Sequence, residues 1–528
     1  MNFDSTESKS IPSDLPLERS AELLLLAAVL LLAICGLIYE LVAGTVSSYL
    51  VGDSVTQFSI VIGLYLTAMG IGSFLSKYIR KKLLAKLAWV ELGVGLVGGF
   101  LALAAMAAYS YTEAYTPVLV TMVTAVGVLV GLEIPILVRI LRNLSGLRLT
   151  LSHVLCADYL GALAASLGFP FLLLPHLGLT RACFAMGFVN VVVAGILVYR
   201  FRHHMQGHLR PLVASCVAGA VVMGIGTGYS TRMVSFLEDR LYQDDIIYAA
   251  DTPYQRVVIT RWRNDIRLFL NGHLQFSSVD EYRYHEALVH PALGSAARVK
   301  NILILGGGDG MAAREVLKYE EVERVDLVDI DSHVTQLFSE NRLLISLNEG
   351  ALTDSRVHVQ NEDALVFLRN NQRHYDAILV DLPDPDTPNL SKLYAKSFYR
   401  LAGRHLAAGG AMSVQSTSPF RARKAYWCIA RTMREGFQEL RRGRRLRVHP
   451  YHTLVPTFGQ WGFMLASENQ EPLSKIEFSV PTRYLNADVL PGLFQFPRDM
   501  GEIETPVSRL NDPVVCRLYR EGYHKYLD

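Results

Sequence analysis

The pattern of apolar and polar positions divides the chain into two parts. Before residue 231, apolar runs of about 18 or more residues recur, which is the length needed to span a bilayer. These runs predict an all-α, polytopic membrane bundle over residues 21–230, preceded by a polar tail at 1–20. The seven apolar segments cover residues 21–45, 58–76, 85–108, 116–138, 152–178, 180–199 and 211–229.

The second part has the pattern of a soluble α/β domain. Residues 231–300 form a small module in which residues 251–276 alternate apolar and polar positions around the turn signal Asn271-Gly272. This pattern predicts a small β-hairpin or meander. From residue 301 to 528, short apolar runs alternate with helical patterns, which predicts a Rossmann-like domain of the methyltransferase type with a mostly parallel sheet. The predicted strands are 301–306, 324–331, 356–360, 375–381, 410–415 and 459–467.

Charge distribution bears on location and partners. The net charge of +2 is too small to indicate nucleic-acid binding. Basic residues are concentrated in the loops around 77–86, 139–148 and 200–210, which the positive-inside rule places in the cytoplasm. Seven crossings would then put the soluble domain outside, so we expect either 211–229 or the Pro170-containing segment not to cross simply. The prediction is a multi-pass protein of the cell (inner) membrane with its soluble domain in the cytoplasm.

Carboxylates occur within or at the edges of the apolar runs. They are Glu40, Glu91, Glu133 and Asp158. Carboxylates are costly in a membrane, so these either form interhelical hydrogen bonds or interfacial contacts, or line a substrate path. The six cysteines are isolated and show no metal-binding or disulfide spacing, which predicts a reduced, cytosolic soluble domain without a metal.

A glycine-rich turn follows the first predicted strand of the soluble domain. The segment NILILGGGDG places Gly306 and Gly308 between that strand and a helix, the position at which a doubly wound sheet binds a nucleoside. Asp309 is unexpected in a turn built for phosphates. Its carboxylate indicates a cationic ligand.

Further acids follow the next strands. Asp329 lies about 20 residues beyond the glycine turn, where an acid holds a ribose. Asp363 follows the third strand and either reads an adenine amino group or caps the next helix; the two roles can coexist. The fourth strand ends in DLPDPDTP, whose Asp381, Asp384 and Asp386 form a proline-stiffened acidic loop at the ligand-binding edge of the sheet. A crevice lined with negative charge concentrates cations.

Several short blocks in order resemble the spermidine synthase (polyamine aminopropyltransferase) family, in particular its membrane-attached members. The blocks are YQ (254–255), LNGHLQ (270–275), DEYRYHE (280–286), GGGDG (306–310), VDID (328–331), DLPDP (381–385), PTFGQWGF (456–463) and TRYLNADVLPGLFQFP (482–497). The resemblance implies transfer of an aminopropyl group from decarboxylated S-adenosylmethionine, as co-substrate, to an amine acceptor. Putrescine is the expected acceptor, giving spermidine and methylthioadenosine without any cofactor.

The resemblance also implies roles for individual residues. Asp381, helped by Tyr284, would be the general base that activates the acceptor amine. The donor would be bound by Gln255, Gly306, Gly308, Asp309, Asp329, Asp363 and Ala364. The acceptor side would include Gln275, His285, Asp384 and Phe458. For His285, a structural role is favoured over that of a metal ligand or base.

Three departures from the family pattern concern the acceptor more than the donor. Met311 replaces a usual glycine, Thr417 stands where an acidic residue is common, and Phe458 replaces an acceptor-side tyrosine. Two other functions fit the sequence: an S-adenosylmethionine-dependent methyltransferase, and a polyamine transporter or sensor with a non-catalytic binding domain.

The basic stretch at 441–447 is either a solvated turn or a contact with anionic lipid. A homodimer is possible.

Overall fold

The computed structural model describes residues 19–51, 54–112, 114–205, 207–241, 244–438, 440, 446–468, 476 and 478–524. Most of the predicted tail and residues 441–445 of the basic stretch lie outside these ranges. The chain divides into two compact units, residues 1–243 and 244–528. The first unit extends beyond the predicted limit at 230 because its last helix continues to Leu241. Residues 231–241 contain no glycine or proline that would end the helix.

The N-terminal unit is a bundle of long apolar helices. They are α1 (Arg19–Val51), α2 (Ser54–Leu75), α3 (Leu83–Tyr111), α4 (Tyr115–Gly168), α5 (Leu174–Arg200) and α6 (Leu209–Leu241). Six helical stretches among the described residues are long and apolar enough to cross a membrane. The predicted runs 152–178 and 180–199 fall in one of them, Thr150–Arg200, since the chain continues through a π-turn at Phe169–Leu173 and bends at Gly178.

The second unit opens with a four-stranded antiparallel meander. Its strands pair in chain order: β1 (Asp245–Asp251), β2 (Arg256–Trp262), β3 (Asp265–Leu270) and β4 (His273–Ser277). Asn271 and Gly272 both have positive φ, as the tight turn between β3 and β4 requires.

A seven-stranded sheet forms the centre of this unit. Its spatial order is β10, β11, β9, β8, β5, β6, β7. The strands are β5 (Asn301–Gly306), β6 (Arg324–Val328), β7 (Val357–Gln360), β8 (Tyr375–Asp381), β9 (Leu406–Gln415), β10 (Arg447–Val455) and β11 (Gly459–Ser467). The pairs among β5 to β9 are parallel, whereas β11 is antiparallel to both β9 and β10. The pattern did not predict β10, in which Pro450 interrupts the strand signal.

Helices flank the central sheet. Side chains of the sheet and of these helices form two apolar clusters. The helices are α7 (Glu281–Ser295), α8 (Met311–Leu317), α9 (Ser332–Glu340), α10 (Arg342–Asn348), α11 (Ala364–Asn370), α12 (Pro388–Ser391), α13 (Lys396–Arg404), α14 (Arg423–Gln438), α15 (Leu490–Leu493) and α16 (Val514–His524). The core of β5 is completely buried. This arrangement brings the carboxyl ends of β5, β6, β8 and β9 to one edge, where the predicted acids lie.

Candidate active site

The glycine turn after β5 is tightly enclosed by two neighbouring strands. A Cβ on Gly306 would lie 1.9 Å from the backbone oxygen of Asp381, and one on Gly308 would lie 2.7 Å from Oδ2 of Asp329. Gly306 also has a φ of 84°. A Cβ at Gly306 would collide with the backbone, and one at Gly308 would displace the Asp329 carboxylate. The two glycines therefore let the ends of β5, β6 and β8 converge.

Two acids of the predicted donor side meet at this turn. The Asp329 carboxylate accepts hydrogen bonds from the backbone N–H of Gly308 at 3.0 Å and of Asp331 at 2.9 Å. Oδ1 of Asp309 accepts one from the backbone N–H of Met311 at 2.9 Å, a bond that does not depend on the side chain at 311. Burial raises the pKa of both Asp309 and Asp329 to about 6.

Asp381 and Tyr284 form the predicted catalytic pair. The Tyr284 hydroxyl donates a hydrogen bond of 2.6 Å to Oδ1 of Asp381. Burial raises the pKa of Asp381, which suits a base that takes a proton from an amine near neutral pH. Phe458 does not contribute a polar group; its ring packs edge-on against Tyr284, with 6.2 Å between ring centroids.

Asp384 is held by three polar side chains from distant parts of the chain. Its carboxylate accepts hydrogen bonds from Gln415 at 3.2 Å and Thr417 at 3.0 Å. It also accepts a hydrogen bond from the hydroxyl of Tyr519 on α16. Burial nevertheless raises the pKa of Asp384 to about 6. Thr417 has a φ of 58°, an unfavourable conformation for a β-branched residue that is typical of functional sites.

The roles of Gln415, Tyr394 and Tyr519 were missed from the sequence. Gln415 ends β9, beside the end of β8, so its position on the strand was a usable signal. Its Nε2 also donates to the Tyr394 hydroxyl at 2.7 Å. Tyr519, on α16, carries no comparable signal, because only the packing of α16 brings it to Asp384.

His285 lies at the boundary of the acid cluster and is fixed by its own helix. Its Nδ1 lies 2.7 Å from Oε2 of Glu281, which also binds Arg314 at 3.0 Å. Burial opposes protonation, but the bond to Glu281 raises the pKa of His285 to about 9. His285 is therefore a buried cation that interacts with Asp309 and Asp381 and offsets part of their negative charge. Its predicted contact with the acceptor stays a prediction.

Asp363 has the helix-capping role that the sequence left open. Oδ1 accepts hydrogen bonds from the N–H groups of Leu365 and Val366, at 2.8 and 3.3 Å, at the start of α11. Oδ2 lies 2.6 Å from Nζ of Lys392, which the sequence analysis did not single out. Recognition of adenine by Asp363 and its neighbour Ala364 remains a prediction.

The two predicted glutamines are placed differently. Nε2 of Gln255 donates to Oδ2 of Asp331 at 2.9 Å, which brings it close to the donor-side acids. Nε2 of Gln275 instead donates to the backbone oxygen of His273 at 3.1 Å. These hydrogen bonds connect Gln255 with the acid cluster, whereas a role for Gln275 toward the acceptor stays a prediction.

Comparison with known proteins shows the family of this chain. Residues 281–478 match the family described as the spermine/spermidine synthase domain. A polyamine aminopropyltransferase of Leptospira interrogans is 44% identical over 505 residues, which cover 95% of this chain and 99% of the relative. This chain belongs to the polyamine aminopropyltransferase family.

Other similar proteins have the same assignment. Polyamine aminopropyltransferase 1 of Ralstonia nicotianae is 44% identical, with 97% of each chain covered. Since these relatives are matched over nearly their whole length, the similarity extends through the helical bundle. A crystal structure of a spermidine synthase with the transition-state analogue AdoDATO is similar at 25% identity and a TM-score of 0.44, covering 48% of this chain and 86% of that one.

Tyr519 provides a test of how this aminopropyltransferase holds Asp384. Tyr519→Phe removes a hydroxyl that hydrogen-bonds Asp384, so we expect KM for the acceptor to rise by roughly 3- to 10-fold, with a smaller change in KM for the donor. Steady-state kinetics with each substrate varied in turn measures both. Tyr319→Phe, which removes a buried hydroxyl bonded to His290, is the matched control. Equal changes in both variants would contradict a specific role for Tyr519.

Proposed function

We propose that this enzyme transfers the aminopropyl group of decarboxylated S-adenosylmethionine to putrescine, releasing spermidine and methylthioadenosine. The observation that carries the proposal is the convergence of Asp309, Asp381 and Asp384 at one edge of the sheet in a chain of the aminopropyltransferase family. Both substrates are cations, and a crevice lined with carboxylates favours both.

The donor would lie along the glycine turn. Asp329 would accept hydrogen bonds from the ribose hydroxyls, and Asp363 with Ala364 would contact the adenine. Asp309 would pair with the donor's free ammonium and repel the carboxylate of ordinary S-adenosylmethionine, which favours the decarboxylated donor in two ways. Gln255 would support this side through its hydrogen bond with Asp331.

The acceptor would enter beside Asp384 with one amine directed at the donor. An alkylamine has a pKa of roughly 10 and is mostly protonated near neutral pH. Asp381 would remove a proton from that amine, with Tyr284 fixing the orientation of the carboxylate. The amine nitrogen would then form a bond to the methylene carbon as the carbon–sulfur bond breaks, and the sulfur would keep the electron pair as methylthioadenosine leaves. Alignment of nitrogen, carbon and sulfur would supply much of the remaining rate.

A product assay tests this function. The purified full chain would be offered putrescine, cadaverine, agmatine and spermidine, each with decarboxylated or ordinary S-adenosylmethionine, and the products identified by mass spectrometry. We expect spermidine and methylthioadenosine from putrescine and the decarboxylated donor. A methylated product, or no product from any pair, would contradict the proposal.

Activity should fall on the acid side of neutrality. Asp309, Asp329 and Asp384 have pKa values raised to about 6, so each loses its negative charge as the pH falls through that value. Protonation weakens binding of both cations, and we expect kcat/KM to decrease at least about tenfold between about pH 7 and about pH 5. A pH–rate profile measures this. In Asp384→Asn, kcat/KM for the acceptor should fall less steeply with decreasing pH. A wild-type kcat/KM that is unchanged at about pH 5 would contradict the role of these carboxylates in binding.

We propose that the bundle lies in the cell membrane, surrounded by lipid, with the catalytic domain in the cytoplasm. The six long apolar helices and the basic loops support this arrangement. If the chain starts in the cytoplasm, a cytoplasmic catalytic domain requires an even number of crossings. Six crossings result either when each of the six stretches crosses once, or when Thr150–Arg200 crosses twice and Leu209–Val234 does not cross. We propose the second arrangement because it alone keeps the basic loop at 200–210 in the cytoplasm. Single cysteines in a cysteine-free chain test it: those in the catalytic domain should resist an impermeant maleimide in intact cells. Labelling before lysis would contradict it.

A further inference from the structure

Four of the polar side chains buried in the helical bundle come from four different helices. Tyr39 comes from α1, Glu91 from α3, Glu133 from α4 and Asn190 from α5. Tyr39, Glu91 and Asn190 have 0% of their surface exposed and Glu133 has 5%. Their neighbours are apolar residues of the bundle core.

Close contacts at two glycines place three of these side chains around one face of α3. Glu91, Gly95 and Gly98 lie on the same face because they are separated by four and three residues. A Cβ on Gly95 would lie 3.1 Å from the Cβ of Asn190, and one on Gly98 would lie 2.5 Å from the Tyr39 ring.

Glu133 completes the group from α4. Its carboxyl group interacts electrostatically with those of Glu91 and Asp158 and with the Tyr39 hydroxyl. The bundle therefore places two carboxylates, a phenol and a carboxamide in one buried region.

Several polar atoms of this region lack hydrogen-bonding partners, as expected of a site that binds a ligand. Both carboxylate oxygens of Glu91, both amide atoms of Asn190 and the Tyr39 hydroxyl are buried and have no hydrogen-bonding partner among the described residues. Buried polar atoms are normally paired, and each unpaired one calls for an explanation. Carboxylates inside a membrane bundle typically mark the path of an ion or a substrate.

We propose that Tyr39, Glu91, Glu133 and Asn190 bind the ammonium group of an alkylamine inside the bundle. The chemical groups are the same as those at the catalytic acceptor side, where Asp381 and Asp384 occur with Tyr284 and Gln415. The choice of an amine rests on the proposed function, since the enzyme's own acceptor and product are alkylamines. Carboxylates would pair with the ammonium, the phenol and amide oxygens would accept its hydrogens, and the apolar walls would contact its methylene chain.

Equilibrium dialysis of the detergent-purified full chain against radiolabelled putrescine and, separately, spermidine tests the proposal. The background carries Asp381→Asn and Asp384→Asn, which weakens binding at the catalytic site. We expect this background to retain a saturable site for at least one of the two amines. Adding Glu91→Gln should weaken that site by about 10-fold or more, because it removes a charged hydrogen-bonding partner.

Two further variants keep the outcome interpretable. Asn190→Ala removes two unpartnered atoms and should weaken binding by about 3-fold or more, so it tests the site even if Glu91→Gln fails to fold. Glu22→Gln, in the first turn of α1 and on the order of 25 Å along that helix from Tyr39, is the matched control and should leave binding unchanged. Size-exclusion chromatography and circular dichroism monitor folding.

Either of two results would overturn the proposal. One is the lack of saturable amine binding in the Asp381→Asn, Asp384→Asn background, which is also the result if the site takes only a proton or an alkali-metal ion. The other is amine binding that neither Glu91→Gln nor Asn190→Ala changes. Turnover of the wild-type chain is measured separately, so a failure of the proposed enzymatic function is distinguished from a failure of the bundle site.

Discussion

Asp381→Asn is expected to lower kcat by roughly 10²- to 10⁴-fold, the range associated with loss of a general base. The substitution preserves the size of the side chain and can still accept the hydrogen bond from Tyr284, but the amide cannot take a proton from the acceptor. Rapid-quench measurement of single turnovers reports the chemical step directly. Equilibrium binding of the decarboxylated donor should change by much less.

Asp386→Asn is the matched control because it makes the same change in the same loop. The Asp386 carboxylate lies 3.7 Å from His273, toward the β4 turn, and we expect kcat to stay within about threefold of wild type. Tyr284→Phe should lower kcat by roughly 3- to 10-fold, since it removes one hydrogen bond to the base. If Asp381→Asn kept near-wild-type turnover, or if both aspartate variants lost activity equally, Asp381 would not be the base.

Asp309→Asn should reverse part of the enzyme's discrimination between donors. Loss of a charged hydrogen bond of about 1.5–3 kcal/mol corresponds to roughly 10- to 150-fold weaker binding of decarboxylated S-adenosylmethionine. Binding of ordinary S-adenosylmethionine should improve at the same time, because the repulsion between two carboxylates is removed. Isothermal titration calorimetry with both donors measures the two changes.

Asp329→Asn is the appropriate comparison for Asp309→Asn. Both donors carry the same ribose, so a change at Asp329 should weaken the two by similar factors and leave their ratio unchanged. If Asp309→Asn also left the ratio of the two donor affinities unchanged, Asp309 would not contact the part of the donor in which the two molecules differ. Such a result would leave the family assignment intact but remove the proposed basis of donor selection.

The glycine turn and its acids could be predicted from the sequence because their signals are local. A buried strand followed by glycines has few alternative structures, and Gly306 and Gly308 indeed lie where any Cβ would clash. Parallel strands end at the same edge, so the acids after β6 and β8 were expected to be neighbours. The boundary between the two units was predicted less well, because α6 continues from apolar into polar sequence before it ends.

The surroundings of Asp384 could be predicted only in part. Thr417 was noticed as a departure from the family pattern, but its hydrogen bond to Asp384 and its positive φ depend on the strand and loop that surround it. Tyr519 approaches Asp384 from the last helix of the described chain. The charge of His285 depends on Glu281, one helical turn away, and on burial that no local pattern reveals.

The sequence by itself determined the long apolar helices, the α/β order of the second unit and the glycine turn with its acids. Helical and strand periodicities and turn residues act over a few neighbours, so the amino-acid order is enough to predict them. Only the tertiary structure decided that Gln415, Thr417 and Tyr519 surround Asp384, and that Glu91 meets Asn190 and Tyr39 inside the bundle. Such contacts arise from how whole helices and strands pack, because side chains far apart in the sequence become neighbours only when the core closes.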